Sequence, residues 1–271
     1  MLTCHFSHST IASVNNSSIK GVTGGRVAKQ VVFCDFDGPI VDVSERYYQT
    51  YCKGLIAVEQ MYGHTSETPL HILPLSKVQF WQMKQNRVAD IDIAVRSGLP
   101  AELFSPFMQQ VERIVNHPSL LRWDRIQPTA QSALNYFRRY DFRLVIVTLR
   151  HPRQVQSFLQ AHGLAHLIDE VYGASDVRAA HANRVEQKCE LLKAAIAQQK
   201  TQGHLTDSSW MIGDTEADIV AGQSLGLSTA ALSCGVRSEA YLRQLGPSKI
   251  YDCLLSAAYK AVESATILRA A

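Results

Sequence analysis

The chain has 271 residues, enough for one large domain or two smaller ones. Its hydrophobic fraction of 46% is typical of a packed globular protein, and no apolar run approaches the ~18 residues of a membrane-spanning helix. The net charge of +3 comes from residues 1–30, which hold three basic and no acidic residues, while the rest carries 24 of each sign. This neutral remainder favours neither a nucleic-acid partner nor a membrane partner.

Residues 1–30 are predicted to be a flexible N-terminal extension. They are rich in Ser and Thr and lack the apolar core of a secretory signal. Because basic residues accompany the Ser and Thr, an organellar transit peptide is the alternative to a cytoplasmic protein. The six cysteines of the chain form no Cys-x-x-Cys pair, which favours reduced thiols and a cytoplasmic location.

Short apolar runs after residue 30 predict the buried strands of a parallel sheet. They lie at 31–36, 142–148, 170–174, 209–214 and 227–232. Helical patterns separate most of them, such as Ala130, Ala133, Leu134 and Phe137 at i, i+3, i+4 and i+7. The alternation predicts an α/β fold with a doubly wound, mainly parallel, Rossmann-like sheet.

The interval between the first and second strands breaks this alternation. About 85 residues there have helical patterns, and Tyr47, Tyr51, Leu55, Val58 and Tyr62 share one helix face. We predict an inserted, all-helical cap domain. The cap is assigned to 43–125, and the α/β core is split into 31–42 and 126–271.

Polar residues stand where the predicted strands end. Asp35 and Asp37 follow the first strand, Thr148 ends the second, and Asp214 ends the run at 209–214. Ligands of such sheets bind beyond the carboxyl ends of the strands, so these residues are expected to meet. Several carboxylates in one crevice favour Mg²⁺, while Thr148 and Lys188 are suited to holding phosphate oxygens.

Four motifs in order resemble those of the haloacid-dehalogenase superfamily. DFDGPIVD (35–42) is similar to its Asp-x-Asp-Gly signature, and FRLVIVTLR (142–150) to its second motif, a strand that ends in Ser or Thr. Lys188 matches the lone lysine of the third motif, and MIGDTEADIVAG (211–222) is similar to the fourth. Together with the helical insert, the fourth motif resembles most the phosphoglycolate-phosphatase-like branch.

The resemblance implies a role for each matched residue. Asp35 is the implied nucleophile, Asp37 the general acid and base, and Thr148 and Lys188 the holders of the phosphoryl group. The implied Mg²⁺ ligands are Asp35, the backbone carbonyl of Asp37, and Asp214, with support from Asp218. The residues predicted to bind substrate are Gly38, Thr148, Leu149, Arg150, Lys188 and, in the cap, Lys84 and Arg87.

The chain departs from the pattern of the family at two places. Pro39 stands where Thr is usual, and Leu149 follows Thr148 where Asn is frequent. Pro39 removes a backbone N–H and fixes φ but removes no catalytic side chain. Arg150 is either a substrate contact or a solvated arginine.

The predicted function is Mg²⁺-dependent hydrolysis of a small phosphorylated metabolite through an aspartyl-phosphate on Asp35. Phosphoglycolate and sugar phosphates are the candidate substrates. A phosphosugar mutase of the same superfamily is the enzymatic alternative, because it would keep Asp37 too. A phospho-acceptor or binding module is the alternative without catalysis. The sequence leaves open whether the protein is a monomer or a homodimer.

Overall fold

The structure is a computed structural model and describes residues 12–15, 27–63, 70–177 and 179–270. The strands in these ranges are β1 (Ala12–Asn15), β2 (Val31–Cys34), β3 (Val41–Asp42), β4 (Arg125–Ile126), β5 (Arg143–Thr148), β6 (Glu170–Gly173), β7 (Trp210–Gly213), β8 (Ser228–Leu232) and β9 (Lys249–Tyr251). The helices are α1 (Ser44–Tyr62), α2 (Lys77–Gln85), α3 (Asp90–Arg96), α4 (Phe104–Ile114), α5 (Pro118–Leu121), α6 (Ala130–Arg139), α7 (Pro152–Ala161), α8 (Ala179–Ala182), α9 (Val185–Thr201), α10 (Glu216–Ser224), α11 (Glu239–Gln244) and α12 (Leu254–Ala270). None of these helices combines the length and the apolar composition needed to cross a membrane.

The main sheet has the strand order β1-β6-β5-β2-β7-β8-β9. All neighbouring pairs from β6 to β9 are parallel, and only β1 is antiparallel to its neighbour β6. The predicted α/β fold with a mainly parallel sheet is confirmed. In the register of the central strands, Cys34 of β2 lies opposite Ile146 of β5 and Ile212 of β7.

Helices cover the main sheet on both faces because its central strand is apolar throughout. Val32 and Cys34 of β2 pack in the apolar cluster to which α6, α7 and α12 contribute. Val31 and Phe33 point to the other face, where α9 contributes Leu191 and Leu192. This alternation of two buried faces gives an apolar run without polar interruption, as expected for a central parallel strand.

Strand β1 lies inside the segment predicted to be a flexible extension. Its four residues pair antiparallel with β6, from Ala12 opposite Gly173 to Asn15 opposite Glu170. The structure thus differs from the prediction at 12–15, because the open edge of β6 offers backbone partners that residue composition does not reveal. Residues 1–11 and 16–26 lie outside the described part of the chain.

Helices α1 to α5 form the helical insert, which leaves and rejoins the sheet through the antiparallel pair β3 and β4. The insert has an apolar cluster of its own, in which Tyr51, Leu55 and Val58 of the predicted stripe are buried. Asp42 accepts a hydrogen bond of 2.8 Å from the Ser44 N–H at the first residue of α1. The predicted boundary between 125 and 126 falls within β4.

Candidate active site

The carboxyl ends of three adjacent strands place the central polar residues. Strand β2 lies between β5 and β7, so Asp35 after β2, Thr148 at the end of β5 and Asp214 after β7 come to one edge of the sheet. The Asp35 N–H donates to the Ile212 carbonyl of β7 at 2.8 Å, which fixes the start of the turn. All three side chains are buried.

A carboxylate cluster of Asp35, Asp214 and Asp218 forms the deepest part of this site. Each offers an oxygen atom, and these three atoms lie within 4.8 Å of one another. Lys188 of α9 places its Nζ 2.8 Å from Asp35 Oδ1 and 2.7 Å from Asp218 Oδ1. Burial and the charge of Asp218 raise the pKa of Asp35 to about 7, and burial together with Asp218 raises the pKa of Asp214 as well. The cluster therefore combines three carboxyl groups with the positive charge of Lys188.

The oxygen atoms of Asp214 and Asp218 differ in their partners. Asp218 Oδ2 accepts from the Thr215 N–H and hydroxyl at the start of α10, and its Oδ1 faces Lys188. Asp214 Oδ2 accepts from the Val236 N–H at 2.6 Å, whereas its buried Oδ1 has no hydrogen-bond partner among the described residues. A buried carboxylate oxygen without a partner is costly, and oxygen donors of this kind suit Mg²⁺. The residues present therefore fit a divalent cation between Asp35 and Asp214.

Gly38 is required by the close packing around Asp214. Its φ is +99°, and a Cβ at this position would lie 2.1 Å from Asp214 Cγ. The Gly38 N–H donates to the Val41 carbonyl, so it closes the turn after Asp37. The glycine of the Asp-x-Asp-Gly motif thus allows the first motif to approach the fourth.

Asp37 belongs to a ring of four buried charges that the sequence did not predict. We call Asp37, Arg46, Asp124 and Arg150 the charge ring. Arg46 and Arg150 each donate to one Asp37 oxygen at 2.8 Å, and each also lies 2.8 Å from one oxygen of Asp124. Burial opposes the charge on Asp37, but Arg150 and Arg46 outweigh it and hold the pKa of Asp37 below its usual value.

The reaction pocket is a cavity of about 80 Å³ above the carboxylate cluster. Of the residues predicted to bind substrate, it is lined by Lys84, Arg87, Thr148, Leu149, Arg150 and Lys188. The Thr148 Oγ1 accepts from the Arg150 N–H at 3.1 Å, which leaves its own O–H free to donate. Arg150 is buried in the charge ring rather than solvated. The pocket is also lined by Tyr47, which the sequence analysis assigned to the apolar stripe of the insert, and by residues that it did not single out, among them Asp90, His181, Asn183, Val236 and Arg237.

The end of α2 docks the helical insert on the loop that follows β8. Gln85 donates to the Gly235 carbonyl at 3.2 Å and accepts from the Ser238 N–H at 2.9 Å. Beside this contact, Arg87 and Arg237 both pair with Glu216 at the start of α10, at 3.0 and 2.8 Å. The insert is therefore held against the core at the rim of the reaction pocket.

Comparisons with known proteins agree with this geometry. The model of the "Haloacid dehalogenase-like hydrolase" family matches residues 31–232, which is more than half of the chain. The chain belongs to this family. The predicted superfamily is therefore confirmed, and the match includes the carboxylate cluster, the charge ring and the helical insert.

Relatives and solved structures of the haloacid dehalogenase-like family are similar over much of the chain. A "Phosphoglycolate phosphatase" of Psychrobacter arcticus is 24% identical over 236 residues, 83% of this chain and 92% of that protein. A "Pyrophosphatase PpaX" of Bacillus cereus is 29% identical over 126 residues, so the chain spans only 54% of its length. The crystal structure of a predicted phosphatase from Clostridium acetobutylicum matches with a TM-score of 0.61 at 16% identity, over 88% of this chain and 100% of that one. The names of the two relatives agree with the predicted enzyme class, a phosphatase of this family.

Proposed function

We propose that this chain is a Mg²⁺-dependent phosphomonoester hydrolase that forms an aspartyl-phosphate on Asp35. The observation that carries the proposal is the buried carboxylate cluster with Lys188 and Thr148 at the floor of the reaction pocket. An anionic nucleophile, a cation and a hydroxyl donor at one strand edge suit phosphoryl transfer, which depends on positioning and charge neutralisation. The family membership and the full-length relative named for a phosphatase support the same reaction.

The first half of the reaction uses Asp35 and Asp37. An oxygen of Asp35 attacks phosphorus, the bond from phosphorus to the alcohol oxygen breaks, and Asp37 gives that oxygen a proton. Lys188 and Thr148 hold the other phosphoryl oxygens. When bound, Mg²⁺ neutralises part of the negative charge, and its ligands would be Asp35, the backbone carbonyl of Asp37 and Asp214, with support from Asp218.

The second half regenerates the enzyme. Asp37 takes a proton from water, the water oxygen attacks the phosphorus of the aspartyl-phosphate, and inorganic phosphate leaves Asp35. Both oxygens of Asp37 are paired with arginines in the structure, which suits the ionised state that accepts this proton. One of these pairs must open for Asp37 to carry the proton that it gives to the leaving alcohol in the first half. The helical insert, docked through Gln85, Arg87 and Arg237, excludes bulk water during transfer.

The substrate class follows from the size of the pocket and from the relatives. A cavity of about 80 Å³ suits a small phosphorylated metabolite, with phosphoglycolate or a sugar phosphate as first candidates.

We place the protein in the cytoplasm, as the sequence analysis predicts. The number of subunits is left open.

The test is phosphate release from a panel of phosphomonoesters, with and without Mg²⁺, by wild type and Asp35→Asn. We expect the substitution to lower turnover by at least about 10⁴-fold, because an amide cannot attack phosphorus. Asp207→Asn is the matched control, since the Asp207 side chain is 94% exposed and does not line the reaction pocket. Near-normal turnover by Asp35→Asn would reject the proposal. Interconversion of sugar phosphates without phosphate release would identify a mutase, and a lasting phosphoprotein without turnover would identify a phospho-acceptor.

A further inference from the structure

The helical insert contains an apolar cavity beside the reaction pocket, which we call the cap recess. It measures about 40 Å³ and is lined on its apolar side by Phe80, Ile93, Phe107, Met108, Val111 and Val115. These residues belong to α2, α3 and α4 or directly follow α4. The apolar side of the recess is therefore built by the insert, and His181 of α8 in the core completes its lining.

Four side chains line both the cap recess and the reaction pocket. They are Tyr47, Lys84, Asp90 and His181, and we call them the neck. Lys84 and Asp90 form an ion pair at 2.6 Å. Because the neck residues line the same pocket as Lys188, a ligand that is anchored by its phosphate at Lys188 can extend toward the neck and the recess.

The neck is polar, whereas the recess behind it is not. The Lys84–Asp90 pair can bind a hydroxyl or carboxylate of the ligand, and Tyr47 adds a hydroxyl group whose pKa burial raises to about 12. Behind the neck, aliphatic and aromatic carbons dominate the lining, and its hydroxyls, on Thr50 and Tyr51, already form hydrogen bonds within the insert. A further hydroxyl of the ligand would therefore be buried there at a cost. The order of surfaces from Asp35 outward is thus anionic site, polar neck and apolar end.

We propose that the leaving alcohol of the substrate carries a short aliphatic end that occupies the cap recess. This inference rests on the proposed phosphatase function and narrows its substrate class. Since a cavity that holds benzene has about 150 Å³, a recess of about 40 Å³ accepts roughly one or two methyl-sized groups and no aromatic ring. A polyhydroxylated sugar phosphate would place hydroxyls against Phe107 and Val111, so it fits less well than a short aliphatic or branched ester.

The first experiment is the specificity constant kcat/KM for a series from methyl to octyl phosphate, with p-nitrophenyl phosphate as an activated ester. Once the chain reaches the recess, each added methylene should raise kcat/KM about fourfold, over one or two methylenes. Longer chains should then lose activity because the recess is full. A flat series, or one that declines from methyl phosphate onward, would overturn the inference.

The second experiment changes the size of the recess. Val111→Ala removes two methyl groups from its wall, and the preferred chain should become one or two carbons longer. Val78→Ala is the matched control, because Val78 of α2 is 66% exposed, and its chain-length profile should equal that of wild type. Met108→Ala enlarges the same recess at a half-buried position. It replaces Val111→Ala in this experiment if Val111→Ala does not fold.

The outcomes separate this inference from the proposed function. If neither these esters nor the panel of phosphomonoesters releases phosphate, both are rejected. If phosphate is released but neither Val111→Ala nor Met108→Ala changes the preferred chain length, the recess is a packing void of the insert and only the inference fails. A shift to longer chains in Val111→Ala, or in Met108→Ala where Val111→Ala does not fold, with none in Val78→Ala, supports it.

Discussion

Removing one member of the charge ring should cost far more stability than removing an ordinary ion pair. Asp124 is the clearest member to change, because its side chain is fully buried and it contacts both Arg46 and Arg150. Asp124→Asn leaves two buried guanidinium groups with one carboxylate, Asp37, and so creates one uncompensated buried charge. Breaking a buried pair in this way typically costs about 3–5 kcal/mol. We expect a decrease of that size in the free energy of unfolding.

Urea denaturation followed by circular dichroism measures this decrease, and a double-mutant cycle locates its cause. Arg46→Met combined with Asp124→Asn removes one charge of each sign, so the pair Asp37–Arg150 stays neutral, and the double variant should lose less than the two single losses together. Glu263→Gln breaks an exposed pair with Lys260 at 2.6 Å and should leave the free energy of unfolding almost unchanged. Losses for Asp124→Asn and Arg46→Met that are small and additive would refute the view that the ring is a coupled buried unit.

Two further predictions concern single positions. Gly38→Ala should lower turnover by about 10²-fold or more, because the added Cβ displaces Asp214. Gly246→Ala is the control and should keep its turnover, because Gly246 also has a positive φ, +63°, but the added Cβ would meet no described atom within 4 Å. Equal losses of the two variants in a phosphate-release assay would contradict the role of Gly38. Burial opposes the charge of Asp90, but Lys84 outweighs it and holds the pKa of Asp90 below its usual value. This carboxylate therefore stabilises the fold above its unfolded pKa of about 3.9 and loses that contribution as the pH falls through its lower folded pKa. Thermal unfolding at a series of pH values should show less acid sensitivity below about pH 4 in Asp90→Asn than in wild type, and equal sensitivity would contradict it.

The sheet and the floor of the site could be predicted because both depend on local patterns. β2 reads as an apolar run since it is buried on both faces, and the stripe of Ala130, Ala133, Leu134 and Phe137 is fully buried as its spacing indicates. Strands that are short and partly exposed gave no such pattern. β9 (Lys249–Tyr251) has no buried residue, and β1 (Ala12–Asn15) lies in a polar segment, so neither was predicted.

The charge ring and the neck could not be predicted because they depend on how distant segments pack. The charge ring joins four segments of the chain, with one residue from each: Asp37, Arg46, Asp124 and Arg150. Arg46 lies in the first turn of α1, and its position in the sequence does not show whether its charge is buried or solvated. Arg150 illustrates the limit, since the sequence left it between substrate and solvent whereas the structure buries it against Asp37 and Asp124. Motifs therefore locate the groups that react, while the residues that hold those groups in place are decided by tertiary packing of the insert against the sheet.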